Sequence, residues 1–134
     1  LHTYFHVRDV HDVAVTGLAG ATFADKVDAG TRTIENDEPI RITGETDRVY
    51  LSTRSTCTID DPGFGRRIAI EKTGSSSAVL WNPWIDKAAA MPDFGDDEWI
   101  NMLCIEPGNL ADNSVTIEPG KLHTMCVTYY TKSI

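Results

Sequence analysis

No run of apolar residues in this chain approaches the ~18 needed for a membrane-spanning helix, so the sequence offers no helical span. No charged-then-apolar leader opens it either. Basic residues are also scarce. Twelve Lys and Arg stand against twenty Asp and Glu, and the resulting net charge of −8 repels phosphate backbones and anionic lipid, which argues against nucleic acid and membrane surfaces as partners. Cysteine is limited to Cys57, Cys104 and Cys126, an odd number with no CxxC spacing. That excludes a disulfide framework and a zinc ribbon. Two of the three sit in apolar strand patterns, as reduced, buried thiols do, and a cytoplasmic protein is expected. No GxSxG, GxGxxG or P-loop occurs, which removes serine-elbow hydrolysis and nucleotide binding. His2, His6 and His11 invite a test for metal. Residues four apart on one strand face lie ~13 Å from each other, beyond the reach of a shared ion, and HExxH is absent. Neither a metal nor a cofactor is expected.

What the chain does contain is β-sheet punctuation. Its 134 residues suit one domain, and 41% hydrophobic residues suffice for a core. Alternating runs rich in Val, Ile, Thr, Tyr and Trp recur at 1–8, 12–18, 38–43, 47–53, 66–72, 77–82, 98–106, 114–118 and 121–131. Turn clusters such as "DDPGFG" and "TGSSS" separate them. The expected fold is all-β, an antiparallel β-sandwich or barrel, with one brief helix at 86–91. The chain begins at Leu1, without Met and inside a strand pattern, so a segment of a larger fold is expected.

The phrase "IEPG" is written twice, at 105–108 and 117–120, and each copy ends a strand pattern with a Pro-Gly turn. Side-chain alternation separates the two glutamates. Glu106 shares a face with Ile100, Met102 and Cys104, an apolar row that would desolvate its carboxylate and raise its pKa toward that of a general base. Glu118 shares its face with Ser114 and Thr116 and is expected to be solvated. In "LHTYFHVR" the same alternation puts His2, Tyr4, His6 and Arg8 on one polar face. Asp47 in "GETDRVY" is placed to accept hydrogen bonds from hydroxyl groups, or else to form an Asx turn or pair with Arg48. "WNPW" sets Trp81 and Trp84 around a bend, and an indole face suits the C–H face of a sugar ring as well as it suits a core. Trp81 is the substrate-binding candidate.

Taken in order, "LHTYF", "GL" with "FADK", "GETDRVY", "WNPW" with "KAAAM", "INMLCIEPGN" and "PGKLHTM" resemble the C-terminal part of the hexose-6-phosphate mutarotases. These are the glucose-6-phosphate 1-epimerases of the aldose 1-epimerase, or galactose-mutarotase-like, family. The resemblance covers nearly the whole chain. It implies that residues 1–134 form a single domain or the C-terminal segment of a larger β-sandwich. It also implies a cofactor-free isomerase acting on a sugar or sugar phosphate, with His2 and Glu106 flanking the anomeric carbon and Asp47 holding sugar hydroxyls. A carbohydrate-binding module, or an inactive segment that keeps the cleft, is the alternative. A lone half-sandwich would leave edges and an apolar face open, so a homo-oligomer is expected of it.

Overall fold

The computed structural model describes residues 1–134. Ten strands run in chain order as β1 (Tyr4–His6), β2 (Ala14–Thr16), β3 (Thr22–Asp25), β4 (Thr31–Ile34), β5 (Thr46–Tyr50), β6 (Cys57–Asp61), β7 (Arg66–Thr73), β8 (Ser77–Asn82), β9 (Met102–Gly108) and β10 (Cys126–Ser133). The α-helix α1 (Trp84–Ala90) lies between β8 and β9. Every pairing is antiparallel. Six strands form one sheet in the order β1-β9-β8-β5-β3-β4, and four form the other in the order β10-β7-β6-β2. The expected antiparallel sandwich is what forms. No helix is long and apolar enough to cross a membrane.

Alternation along the strands builds the core between the sheets. Phe5, Leu103, Ile105, Leu80, Tyr50 and Phe23 point inward from the larger sheet. Ile59, Ile68 and Ile70 meet them from the smaller one, and Val10, Val13, Leu18, Ile40 and Ile42 fill in from loops and bends. Buried Asn82 closes the end of β8: its amide donates to Trp99 O and Met102 O, and its Oδ1 accepts from Trp84 N at the start of α1.

Three strands were not expected from the sequence. All four residues of β4 are exposed, and β3 buries only Phe23, so neither shows the apolar alternation that marks a half-buried strand. In β6 the acidic ending "DD" disguises a strand whose carboxylates pair with Arg66 and Arg67 on β7. Two expected strands do not form. Residues 38–43 supply buried Ile40 and Ile42, but only an isolated bridge from Ile40 to Val15, and Pro39 has no N–H to donate. Residues 114–118 run outside both sheets, with Val115 and Ile117 exposed. The last strand starts at Cys126 rather than at 121.

Candidate active site

The outer face of the six-stranded sheet is set by register. Tyr4 pairs with Cys104, Cys104 with Trp81 and Trp81 with Asp47, while Glu106 pairs with Val79 and Val79 with Val49. The β1–β9 register continues beyond β1: the amino group of Leu1 donates to Pro107 O at 3.0 Å, which brings His2 opposite Glu106. Their side chains meet, His2 Nδ1 lying 3.3 Å from Glu106 Oε2. The two environments differ sharply. The Glu106 side chain is 14% exposed and the His2 side chain 85%.

A cleft of about 280 Å³ opens here, lined by His2, Glu106, Asp47, Trp81, Tyr4 and Lys26. All four residues singled out in the sequence therefore line one cavity. Its floor is apolar, because Val49, Leu51 and Val79 form a small buried cluster with Trp81 packed on it. Tyr4 stands edge-on to the Trp81 indole with ring centroids 5.7 Å apart. Asp47 is half-buried, with Lys87 Nζ 4.0 Å away, and Lys87 is held more closely by Glu45 at 3.1 Å.

Pairing of Asp47 with Arg48 does not occur. Adjacent strand residues point to opposite faces, and Arg48 turns away to Glu35 Oε2 at 3.0 Å and to the face of Phe23. Tyr50 adds its hydroxyl to the same Glu35 oxygen at 2.6 Å. The second indole is absent from the cleft as well, because Trp84 packs on Trp99 and His11. Sequence reasoning gave no role to Lys26, the last residue of "FADK", which follows the unexpected strand β3 and whose N–H donates to Asp47 O at 2.8 Å. It also left Tyr4 without a role.

Glu118 is exposed, as expected, but for a different reason: residues 114–118 belong to no strand and have no sheet face. Glu118→Gln is therefore expected to leave thermal stability unchanged, as measured by a melting curve. A large loss would show that Glu118 is packed rather than solvated.

Cys104 neighbours Glu106 on the cleft face but is fully buried. Burial, and then the charge and hydrogen bonding of Glu106, hold its thiol far above the usual cysteine range. Burial likewise pushes Cys57 up to about 11. A raised folded-state pKa keeps each thiol protonated at pH 8, where an ordinary exposed cysteine supplies reactive thiolate. Iodoacetamide at that pH should modify only the exposed Cys126 in the native protein and all three cysteines once it is unfolded. Native-state labelling of Cys104 would show that the floor of the cleft opens.

Comparison with known proteins bears on the family and the fold. The aldose 1-epimerase family profile matches residues 1–130. A protein of Cenchrus ciliaris named "Putative glucose-6-phosphate 1-epimerase" is 41% identical over 120 residues, covering 90% of this chain and 36% of its own length. One of the same name from Escherichia coli K12 is 36% identical over 106 residues, covering 79% of this chain and 36% of itself. The crystal structure of a protein of Salmonella typhimurium described as "a putative mutarotase" superposes on all of this chain and on 45% of its own, with a TM-score of 0.84 and 26% identity. The chain thus spans under half the length of these relatives, which agrees with the expected partial sandwich. The chain belongs to the aldose 1-epimerase family.

Proposed function

We propose that the cleft interconverts the α and β anomers of a hexose 6-phosphate by acid–base ring opening. Glu106 acts as base on the C1 hydroxyl while His2 protonates the ring oxygen, so that the C1–O5 bond breaks and an open-chain aldehyde forms. Rotation about C1–C2 presents the other carbonyl face. Ring closure then reverses both proton transfers, and each side chain ends in its starting state. No electrons or groups leave the sugar, so the balance requires no co-reactant.

The observation that carries this reading is the His2–Glu106 pair at 3.3 Å, bordering a cleft that also holds an indole and Asp47. A contact made by so exposed an imidazole is weak, so His2 can leave the carboxylate for a ring oxygen at little cost. Trp81 offers an apolar surface to the sugar C–H face, Asp47 accepts from hydroxyls, and Lys26 provides positive charge for an anionic substituent. The names of the two relatives favour a hexose 6-phosphate over a neutral sugar.

Polarimetry on freshly dissolved α-glucose 6-phosphate tests the reading. The protein should bring the rotation to equilibrium faster than the spontaneous reaction does. Quenching of Trp81 fluorescence without acceleration would instead assign the cleft to carbohydrate binding alone.

A further inference from the structure

A second and larger cavity, of about 440 Å³, lies at the end of the sandwich where β7 turns into β8. Its wall carries Arg54, Lys72 and His123 among serine and asparagine side chains, and no carboxylate. In a chain with 20 acidic and 12 basic residues, a cavity of one sign is a local reversal of the overall field.

Lys72 is the informative member. It follows Ile68 and Ile70 on the core-facing row of β7 and is only 8% exposed. Its ammonium donates to Ser77 O at 2.8 Å, but none of the ion pairs in the molecule includes it. One carbonyl satisfies one of three N–H donors and supplies no counter-charge. Buried lysines are ordinarily paired, because an uncompensated charge away from water is costly. Burial accordingly draws the Lys72 pKa below the usual lysine value, with the buried Cys57 acting the other way.

The surrounding backbone is tied in place. Asn109 donates through Nδ2 to Gly74 O at 2.8 Å and accepts from Ser76 N at 3.1 Å. Asn113 Oδ1 accepts from Ser52 N at 2.8 Å and from Ser77 Oγ at 3.1 Å. His123 Nε2 lies 2.8 Å from Gly74 O. Gly74 itself has φ +70°, and a side chain there would strike Thr124 O. These contacts cross-link the segments around 74–77, 109–113 and 123–124, so the cavity has fixed walls before any ligand arrives.

We propose that this cavity is a binding site for a phosphate-class oxyanion, separate from the catalytic cleft, with Lys72 as its buried charge and Arg54 as its outer, two-pronged donor. Arg54 is exposed at the rim, and a guanidinium there can engage two oxygens of one phosphate. The proposal does not depend on the chemistry assigned to the cleft. The long-range field of a chain at −8 opposes anions, so recognition is short-ranged and depends on these side chains.

The test is calorimetric titration of the 134-residue chain with inorganic phosphate, with chloride at matched ionic strength as control. The expected result is one saturable site that Arg54→Gln weakens about tenfold or more, the loss that follows from removing a charged hydrogen bond. Lys72→Met should abolish it. Should that variant fail to fold, Arg54→Gln, at an exposed position, still decides the matter. Lys26→Gln should leave phosphate binding unchanged. Displacement of phosphate by glucose 6-phosphate but not by glucose would assign the site to a phosphorylated metabolite, and resistance to both would assign it to the free ion. Absence of saturable binding overturns the proposal. So does binding that survives Arg54→Gln intact, or that disappears with Lys26→Gln and therefore belongs to the cleft.

Discussion

Glu106→Gln should lower kcat for anomer interconversion by roughly 10²–10⁴-fold, the range general acid–base catalysis supplies, while KM changes little. The substitution is close to isosteric at a side chain only 14% exposed, so the cleft keeps its shape and its contact with His2. What disappears is the ability to take a proton from the C1 hydroxyl, because an amide oxygen is a far weaker base than a carboxylate. The substitution leaves Trp81, Asp47 and Lys26 in place, and the contacts proposed for them form before any bond breaks. A loss confined to kcat is therefore the signature of a group that acts in the transition state. Stopped-flow polarimetry or a coupled assay specific for one anomer separates the two constants. Wild-type turnover in the Gln variant would show that Glu106 is not the base.

The fold was most legible where burial follows alternation, as in β7, whose Ile68, Ile70 and Lys72 are buried while the residues between them are more open. Strands β8 and β9 were legible as apolar runs instead: the first four residues of each are all buried, because both of their faces are covered. Strand β4 was invisible for the same reason inverted: with no buried side chain it leaves no hydrophobic trace, and only its pairing with β3 makes it a strand. Residues 114–118 misled in the opposite direction. Their Val and Ile alternate with polar residues, but the segment joins neither sheet, and a period of two specifies a strand only when a partner pairs with it. The site was legible in its residue types and on one face of each strand. Its assembly was not, because the approach of His2 to Glu106 and of Trp81 to Asp47 is a matter of register between segments distant in sequence. The place of Lys26 at the cleft stayed hidden because the strand it follows did.

His2→Ala and Asp47→Ala should fail in different ways. The His2 side chain is 85% exposed and its removal takes away little packing, so the melting temperature should stay near that of the unaltered protein. An acid that protonates the ring oxygen contributes as the C1–O5 bond lengthens, so kcat should fall by ~10²-fold or more with KM nearly constant. Asp47 is 17% exposed and stands beside Trp81 on the cleft face, and a carboxylate with the proposed role of accepting from hydroxyls does so in the ground state as well as the transition state. A hydrogen bond to a charged group contributes ~1.5–3 kcal/mol, so Asp47→Ala should raise KM by roughly 10–100-fold. Removing that carboxylate also leaves Lys87 with Glu45 as its remaining acidic neighbour, a small change at the rim. The contrast is what tests the roles. If His2→Ala raised KM alone, the imidazole would be a binding group and the ring-oxygen proton would have to come from elsewhere. If Asp47→Ala lowered kcat alone, Asp47 rather than Glu106 would become the candidate for the proton-accepting carboxylate.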